Sequence, residues 1–334
     1  MAGVQTRRLL ATAALVAASA CSDRSTLQGH LEPWDTLWVF RGTAEDTALL
    51  APYSLATFRG GVVALDGNSP RVTAFDAEGR VRWMYTPRTG DGPGEMRLAL
   101  GAVESEEGLW VLAHPTRLIL LSDEGVFLRQ IRITPDPSGL VSQMEPWSGD
   151  QAMLLIGERY ARVSLSDGHL AGDLMPIPWT RTPPGDWYSD VRMSTGGALV
   201  ALGMAYGPEV LVLEGDSIRG SIFRQEIPYR SRGRRVELGG GAYTLRSAPG
   251  IMPFGAWRSC IVGSELWILT GGAMGTEAPP RNDQLLVYSV EGSLIGSRTL
   301  PFDTEDMAVS SDRVYLLRRM IDDPLPTLLA FTRR

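Results

Sequence analysis

Short apolar runs alternate with clusters of turn-forming residues along this chain, and the clearest unit lies between Val62 and Met96. There, Val62 to Leu65 runs into Asp66-Gly67-Asn68-Ser69-Pro70, Val72 to Phe75 runs into Asp76-Ala77-Glu78-Gly79, and Val81 to Tyr85 opens into a loop. Val, Thr and aromatic side chains suit a pleated surface, whereas Gly, Asn, Asp and Pro supply the backbone conformations of tight turns. The pattern therefore predicts antiparallel strands joined by short connections. No helical period competes with it here.

The same layout recurs. The strand after each turn reads Val62-Val63-Ala64-Leu65, Leu109-Trp110-Val111-Leu112, Ala152-Met153-Leu154-Leu155, Ala198-Leu199-Val200-Ala201, Leu266-Trp267-Ile268-Leu269 and Val314-Tyr315-Leu316-Leu317, at steps of 47, 43, 46, 68 and 48 residues. A period near 45 with several short strands per copy is what a β-propeller blade requires. The step of 68 marks an insertion at about residues 229–250. A second strand also recurs, ending in Gly turns at Gly79, Gly125, Gly168, Gly215 and Gly292.

The sixth copy stops short, since only Thr332, Arg333 and Arg334 follow Phe331. The apolar run Thr36 to Phe40 is otherwise unassigned, and pairing it with Thr327 to Phe331 closes the ring and covers an exposed edge. The expected fold is all-β: one six-bladed propeller over 34–334, closed by an N-terminal strand that completes the last blade.

These residues also carry a family resemblance. Asp66 to Gly79 resembles the NHL-type repeat, D-x-x-N-x-R-[IV]-x-x-F-x-x-x-G, and Gly90-Asp91-Gly92-Pro93-Gly94-Glu95-Met96 resembles the loop that links blades in that superfamily of six-bladed propellers. Blade two keeps the Arg of the motif, in His114-Pro115-Thr116-Arg117-Leu118. The resemblance implies a binding platform and names no ligand.

The first 20 residues carry Arg7 and Arg8 and then the apolar run Leu9 to Ala20. That is the layout of a secretory signal peptide, and it is short of the roughly 20 apolar residues that span a bilayer. A buried amphipathic helix, the competing reading, would show a polar face. Ala18-Ser19-Ala20-Cys21 resembles the lipobox of bacterial lipoproteins, which makes Cys21 the candidate lipidated residue and 21–33 a tether. Removing residues 1–20 takes the formal charge from −6 to −8, and every one of the 32 basic residues is Arg. With Cys21 acylated, Cys260 has no partner for a disulfide.

Candidate chemistry is sparse. Of three His, only His114 sits in a loop after a strand, and no close His/Cys spacing forms a zinc site. The pairs Asp322-Asp323 and Glu305-Asp306 are read as loop carboxylates able to help hold a hard cation. Trp110 and Trp267 occupy equivalent strand positions and are expected between blades. Trp147, Trp187 and Trp257 are expected in segments leading into innermost strands, either as a stacking platform at the channel mouth or as packing beneath loops. The insertion holds Arg230, Arg232, Arg234 and Arg235 around Gly239-Gly240-Gly241, which reads as a basic hairpin that either contacts an anionic partner or pairs with nearby acids.

The resulting expectation is a non-enzymatic binding or scaffold lipoprotein of the bacterial cell envelope. It would be lipid-anchored at the outer membrane or periplasmic face, engage a protein, peptide or glycan through one propeller face, and need no cofactor. The alternative is a metal-dependent envelope hydrolase or lyase with a carboxylate site at the channel mouth. The net charge and the secretion signal argue against nucleic acid.

Overall fold

The computed structural model describes residues 34–42, 48–67, 69–137, 141–180, 191–205, 207–223, 233–239, 242–247, 254–271, 282–318 and 325–333. Strand β1 (Thr36–Arg41) comes first but belongs to the last blade. Blade one is β2 (Pro52–Phe58), β3 (Gly61–Asp66), β4 (Arg71–Phe75) and β5 (Val81–Tyr85); blade two is β6 (Ala99–Ser105), β7 (Gly108–Ala113), β8 (Arg117–Leu121) and β9 (Phe127–Arg132). Blade three is β10 (Val141–Pro146), β11 (Gln151–Ile156), β12 (Arg159–Ser164) and β13 (Leu170–Pro176); blade four is β14 (Val191–Gly196), β15 (Leu199–Met204), β16 (Glu209–Glu214) and β17 (Ser217–Phe223). After a separate hairpin, β18 (Gly233–Gly239) with β19 (Ala242–Ser247), blade five is β20 (Phe254–Val262), β21 (Glu265–Gly271), β22 (Gln284–Ser289) and β23 (Leu294–Thr299). Blade six is β24 (Thr304–Val309), β25 (Arg313–Arg318), β26 (Thr327–Thr332) and, as its outer strand, β1.

The closure follows the expected pairing, with Thr36 opposite Phe331, Val39 opposite Leu329 and Arg41 opposite Thr327. An unpaired β26 would expose a row of backbone donors and acceptors, and β1 satisfies them. In blade four the strand begins at Leu199, and the turn at Gly197-Ala198 makes Val200, not Ala198, equivalent to Val62 of blade one. The offset of two residues keeps every side chain on its expected face, because side chains alternate with period two.

The middle strands are densely packed: the second strands β3, β7 and β15 and the third strands β4 and β8 are buried at every position. Six apolar clusters lie between neighbouring blades, and the one joining blades six and one contains Leu55, Phe75, Tyr315 and Leu328. Trp110, Trp267 and Tyr315 are the largest fully buried side chains, as inter-blade core should be. Each blade is therefore held by its neighbours rather than by a central core.

The Gly that ends the repeat motif has a packing reason. At Gly79 (φ 80°) a Cβ would lie 2.5 Å from Trp38 of β1, and at Gly125 (φ 76°) it would lie 2.6 Å from Trp83 of β5. In both cases the indole from the outer strand of one blade rests on the turn of the next. Trp38 also donates its indole N–H to the Ala77 carbonyl at 2.9 Å. Gly meets both demands, the left-handed backbone and the missing side chain.

Candidate functional site

The six inner strands β2, β6, β10, β14, β20 and β24 surround a central cavity of about 320 Å³. Each has a ladder partner on one side only, so its channel-side backbone groups need partners from elsewhere. Side chains of neighbouring blades supply some of them. Asp306 Oδ2 on β24 accepts the Leu55 N–H of β2 at 2.6 Å, and Gln143 Oε1 on β10 accepts the Met193 N–H of β14 at 2.8 Å. At the same level of blade two stands Gly101, where a Cβ would press to 3.0 Å from the Met144 nitrogen of β10. Ser194 and Ser259, both buried, link β14 to β20 at 2.9 Å, and the Thr195 hydroxyl donates to the Pro146 carbonyl.

Pairing with the second strands defines one level of the channel. Ser54, Gly101, Gln143, Arg192, Arg258 and Asp306 stand opposite Leu65, Leu112, Leu155, Gly203, Leu269 and Leu317. Near this level β2, β6, β10, β20 and β24 each slip register by a bulge, whereas β14 stays regular. A bulge adds a residue and re-aims its neighbours, which is how Tyr53, Trp257 and Glu305 come to line the cavity beside that level.

Arg258 pins three blades together. Its Nη1 lies 3.0 Å from Glu145 Oε1 of blade three and its Nε lies 3.2 Å from Asp306 Oδ1 of blade six. The Arg258, Glu145 and Asp306 side chains keep only 12, 12 and 7% of their accessible surface. Burial pushes the Glu145 carboxyl up to about 7, against the pull of Arg258 and with the help of the Asp306 charge. Burial works against the Arg258 charge, but Glu145 and Asp306 outweigh it and hold the guanidinium protonated. Cys260, two residues along β20, donates its S–H to the Met307 carbonyl at 3.6 Å, and burial pushes its thiol up to about 12. A thiol in that state is inert.

Arg192 is placed differently. Its guanidinium carbon sits 5.1 Å from the centroid of the Trp257 ring, and the Trp257 indole N–H donates to the Glu305 carbonyl at 2.7 Å. Among the described residues Arg192 has no carboxylate partner, and its Nε is buried without a hydrogen bond. The Tyr53 hydroxyl is buried and unpartnered in the same sense, its phenol pushed up by burial and by the charges of Asp306 and Asp66.

The remaining candidates separate. Trp147 does not lead into an inner strand: it follows β10 in the connection to β11, the opposite end of the strand from the bulge, and packs on the cluster of Met153, Met193 and Leu202. Trp147 and Trp257 thus lie at opposite ends of the ring and form no common platform. Glu305 and Asp306 belong to strand β24, not to a loop, because the apolar run that follows them pairs with β25. Cys21, Trp187, Arg230, Arg232 and the pair Asp322-Asp323 lie outside the described residues. Arg234 and Arg235 fall on β18, opposite Arg246 and Leu245 of β19, so the basic insertion is a hairpin in backbone terms. It enters the chain between β17 and β20, the connection that delivers the mouth-side end of β20.

The motif Arg117 turns inward to structure. Its Nη2 donates to the Gly90 carbonyl at 3.0 Å and meets Asp91 Oδ1 at 3.2 Å, so it clamps the Gly90 to Glu95 loop between blades one and two. His114 borders a surface hollow beside it with Arg132 and Asp136. No group of three or more His, Cys, Asp or Glu side chains placed to hold a metal ion occurs among the described residues. The residues that sequence reasoning missed are Glu145, Arg192 and Arg258. Only their position two to five residues into an inner strand could have marked them.

No protein-family model matches the chain, and no curated protein matches it. Among solved structures it is similar to the Neurospora crassa Pan2 WD40 domain, with 8% identity, 91% of this chain and 97% of that one covered, and a TM-score of 0.52. It is also similar to a candidate exported protein of Bacteroides fragilis, with 9% identity, 92% and 98% covered, and a TM-score of 0.52. At such identities the likeness is one of fold, and it agrees with the strand pairing: the chain is a six-bladed β-propeller.

Proposed function

We propose that this propeller is a non-enzymatic binding or scaffold lipoprotein of the bacterial cell envelope, of NHL-like type, anchored through Cys21. The observation that carries the binding reading is the contrast inside the channel. The two buried carboxylates that could do chemistry, Glu145 and Asp306, are engaged by Arg258, whereas Arg192, beside the Trp257 ring at the mouth side, has no carboxylate partner among the described residues. A fixed cation on an aromatic plate suits recognition of a protein, peptide or glycan. The basic segment carrying Arg230, Arg232, Arg234 and Arg235 lies in sequence between β17 and β20, and its charge suits an anionic group on such a partner.

The test is affinity capture from crosslinked envelopes, with Cys21→Ala as the control. The expected result is a defined set of partners that depends on the anchored form, with Cys21→Ala released from membranes. Intact-mass measurement showing an unmodified Cys21 would remove the lipoprotein assignment. A second reading, hydrolysis, draws on the Glu145 carboxyl titrating at about 7, in the range of a general acid or base. Turnover of an envelope substrate that is abolished by Glu145→Gln would establish it instead.

A further inference from the structure

We propose that the mouth side of the channel binds a singly charged organic carboxylate on a small apolar body, with Arg192 as the group that reads the carboxylate. The inference rests on the reading of this mouth as the working end of the ring, and it names the chemistry recognised there. Two arginines share one level of the channel in adjacent blades, and they are in opposite states. Arg258 has a carboxylate on each side. Arg192 has none among the described residues; its Nε, like that of Arg258, is buried without a hydrogen bond, and here no carboxylate stands beside it.

A guanidinium costs free energy to bury unpaired, so such a group is retained where a ligand completes it. Trp257 holds the flat face of Arg192 at 5.1 Å and is itself held by its bond to Glu305, so the fork needs little ordering when a ligand arrives. A carboxylate is the planar, bidentate match for that fork.

The surroundings select the charge and the size. Glu145 and Asp306 line the same cavity and share a single cation, Arg258, so a dianion such as phosphate meets more repulsion than one unpaired guanidinium offsets. A cavity of about 320 Å³ lies at the small end of ligand sites. The cavity wall is mixed, with Leu100, Met144, Ile261 and the Trp257 ring beside Ser142 and Ser194. The unpartnered Tyr53 hydroxyl, on the blade opposite Arg192 in the order of the ring, provides a donor for a second polar group of the ligand.

This carboxylate can come from a free acylated amino acid or from the C-terminus of a peptide. Titration calorimetry on the full-length protein separates the two. One arm compares N-acetyl-leucine with N-acetyl-leucinamide. The other compares an acetylated tetrapeptide ending in Leu as the free acid with the same peptide amidated; inorganic phosphate is run alongside. The free acids should bind, the amides should bind at least about tenfold more weakly, and phosphate should not compete. Arg192→Gln should bring the free acids down to the level of the amides, and Arg192→Lys should retain part of the affinity.

Binding of the small acid alone assigns a metabolite site. Binding of the peptide acid alone, or much the tighter of the two, assigns a chain-end site. Equal binding of acids and amides, failure of any carboxylate to bind, or unchanged affinity in Arg192→Gln would overturn the proposal. Should Arg192→Gln not fold, the acid–amide comparison on the wild-type protein and the Arg192→Lys titration decide it. Purified protein and defined ligands keep this outcome independent of envelope capture, so the anchor and the partner can fail while the carboxylate site stands.

Discussion

Arg258 and Arg192 sit at the same level of one channel on neighbouring strands, and they divide the labour that a buried cation can do. Arg258 is compensated on both sides and ties β20 to β10 and β24 across the ring. Among the described residues Arg192 meets an aromatic face and no carboxylate. The difference teaches that burial of charge in this channel serves stability where opposite charges meet and recognition where they do not. It also puts the carboxylate-reading group on blade four against the indole of blade five, since Gly101 and Ser54 fill that level on the far side of the ring.

The largest effect that would break the comparison is expected from Arg258→Met. Removing the shared partner leaves Glu145 and Asp306 buried and uncompensated, which costs about 3–5 kcal/mol. Urea denaturation near neutral pH reads this directly, and a loss below about 1 kcal/mol would mean that the triad is not what holds these blades together.

Next comes the pH dependence of Glu145. Its folded-state value of about 7 lies above the ordinary 4.5, so the folded protein binds more protons than the unfolded chain between those limits. Stability from this group is therefore fully present below pH about 4.5. It falls as pH rises toward 7, by at most about 1.4 kcal/mol per pH unit, and then levels off. Glu145→Gln should remove that slope. The difference in stability between wild type and variant, measured from pH 4.5 to 8, checks it; two parallel curves would contradict it.

Arg192→Gln sharpens the comparison from the other side, because losing one cation–π contact should cost about 1 kcal/mol or less of stability. The smallest expected effect belongs to Trp257→Phe, which keeps an aromatic plate under Arg192 but loses the bond to Glu305. A drop of about 0.5 kcal/mol in stability is expected, the low end for one hydrogen bond at a half-buried site, with carboxylate affinity lowered only a few-fold by a looser guanidinium. Should Arg192→Gln prove as damaging as Arg258→Met, both arginines would be structural.

Much of the ring was legible because its information is local and repeated. The Asp66 to Gly79 turns, the buried run of each second strand and the missing strand of the last blade are all visible at short range, and the pairing of Thr36 with Phe331 follows from counting. The Gly of the motif was readable as a turn, but its second duty, making room for Trp38 or Trp83 from the neighbouring blade, was not. Trp147 was misplaced because an inner strand and the strand after it look alike in apolar pattern, and only pairing shows that Trp147 follows β10 instead of preceding it.

Residue order and hydrophobic pattern alone settled that six similar sheets form and which strand closes the ring, since strand and turn preferences act within a few residues; the turn of blade four had to be read from its pairing. They did not settle the channel. Glu145, Arg258 and Asp306 lie 113 and 48 residues apart along the chain, carry no common motif and meet only because ring closure brings blades three, five and six around one axis. Arg192 looks like any strand arginine until the bulge-free register of β14 and the bulge before Arg258 set it on Trp257. Charge compensation at that depth depends on distances across the ring, and those exist only once every blade is in place.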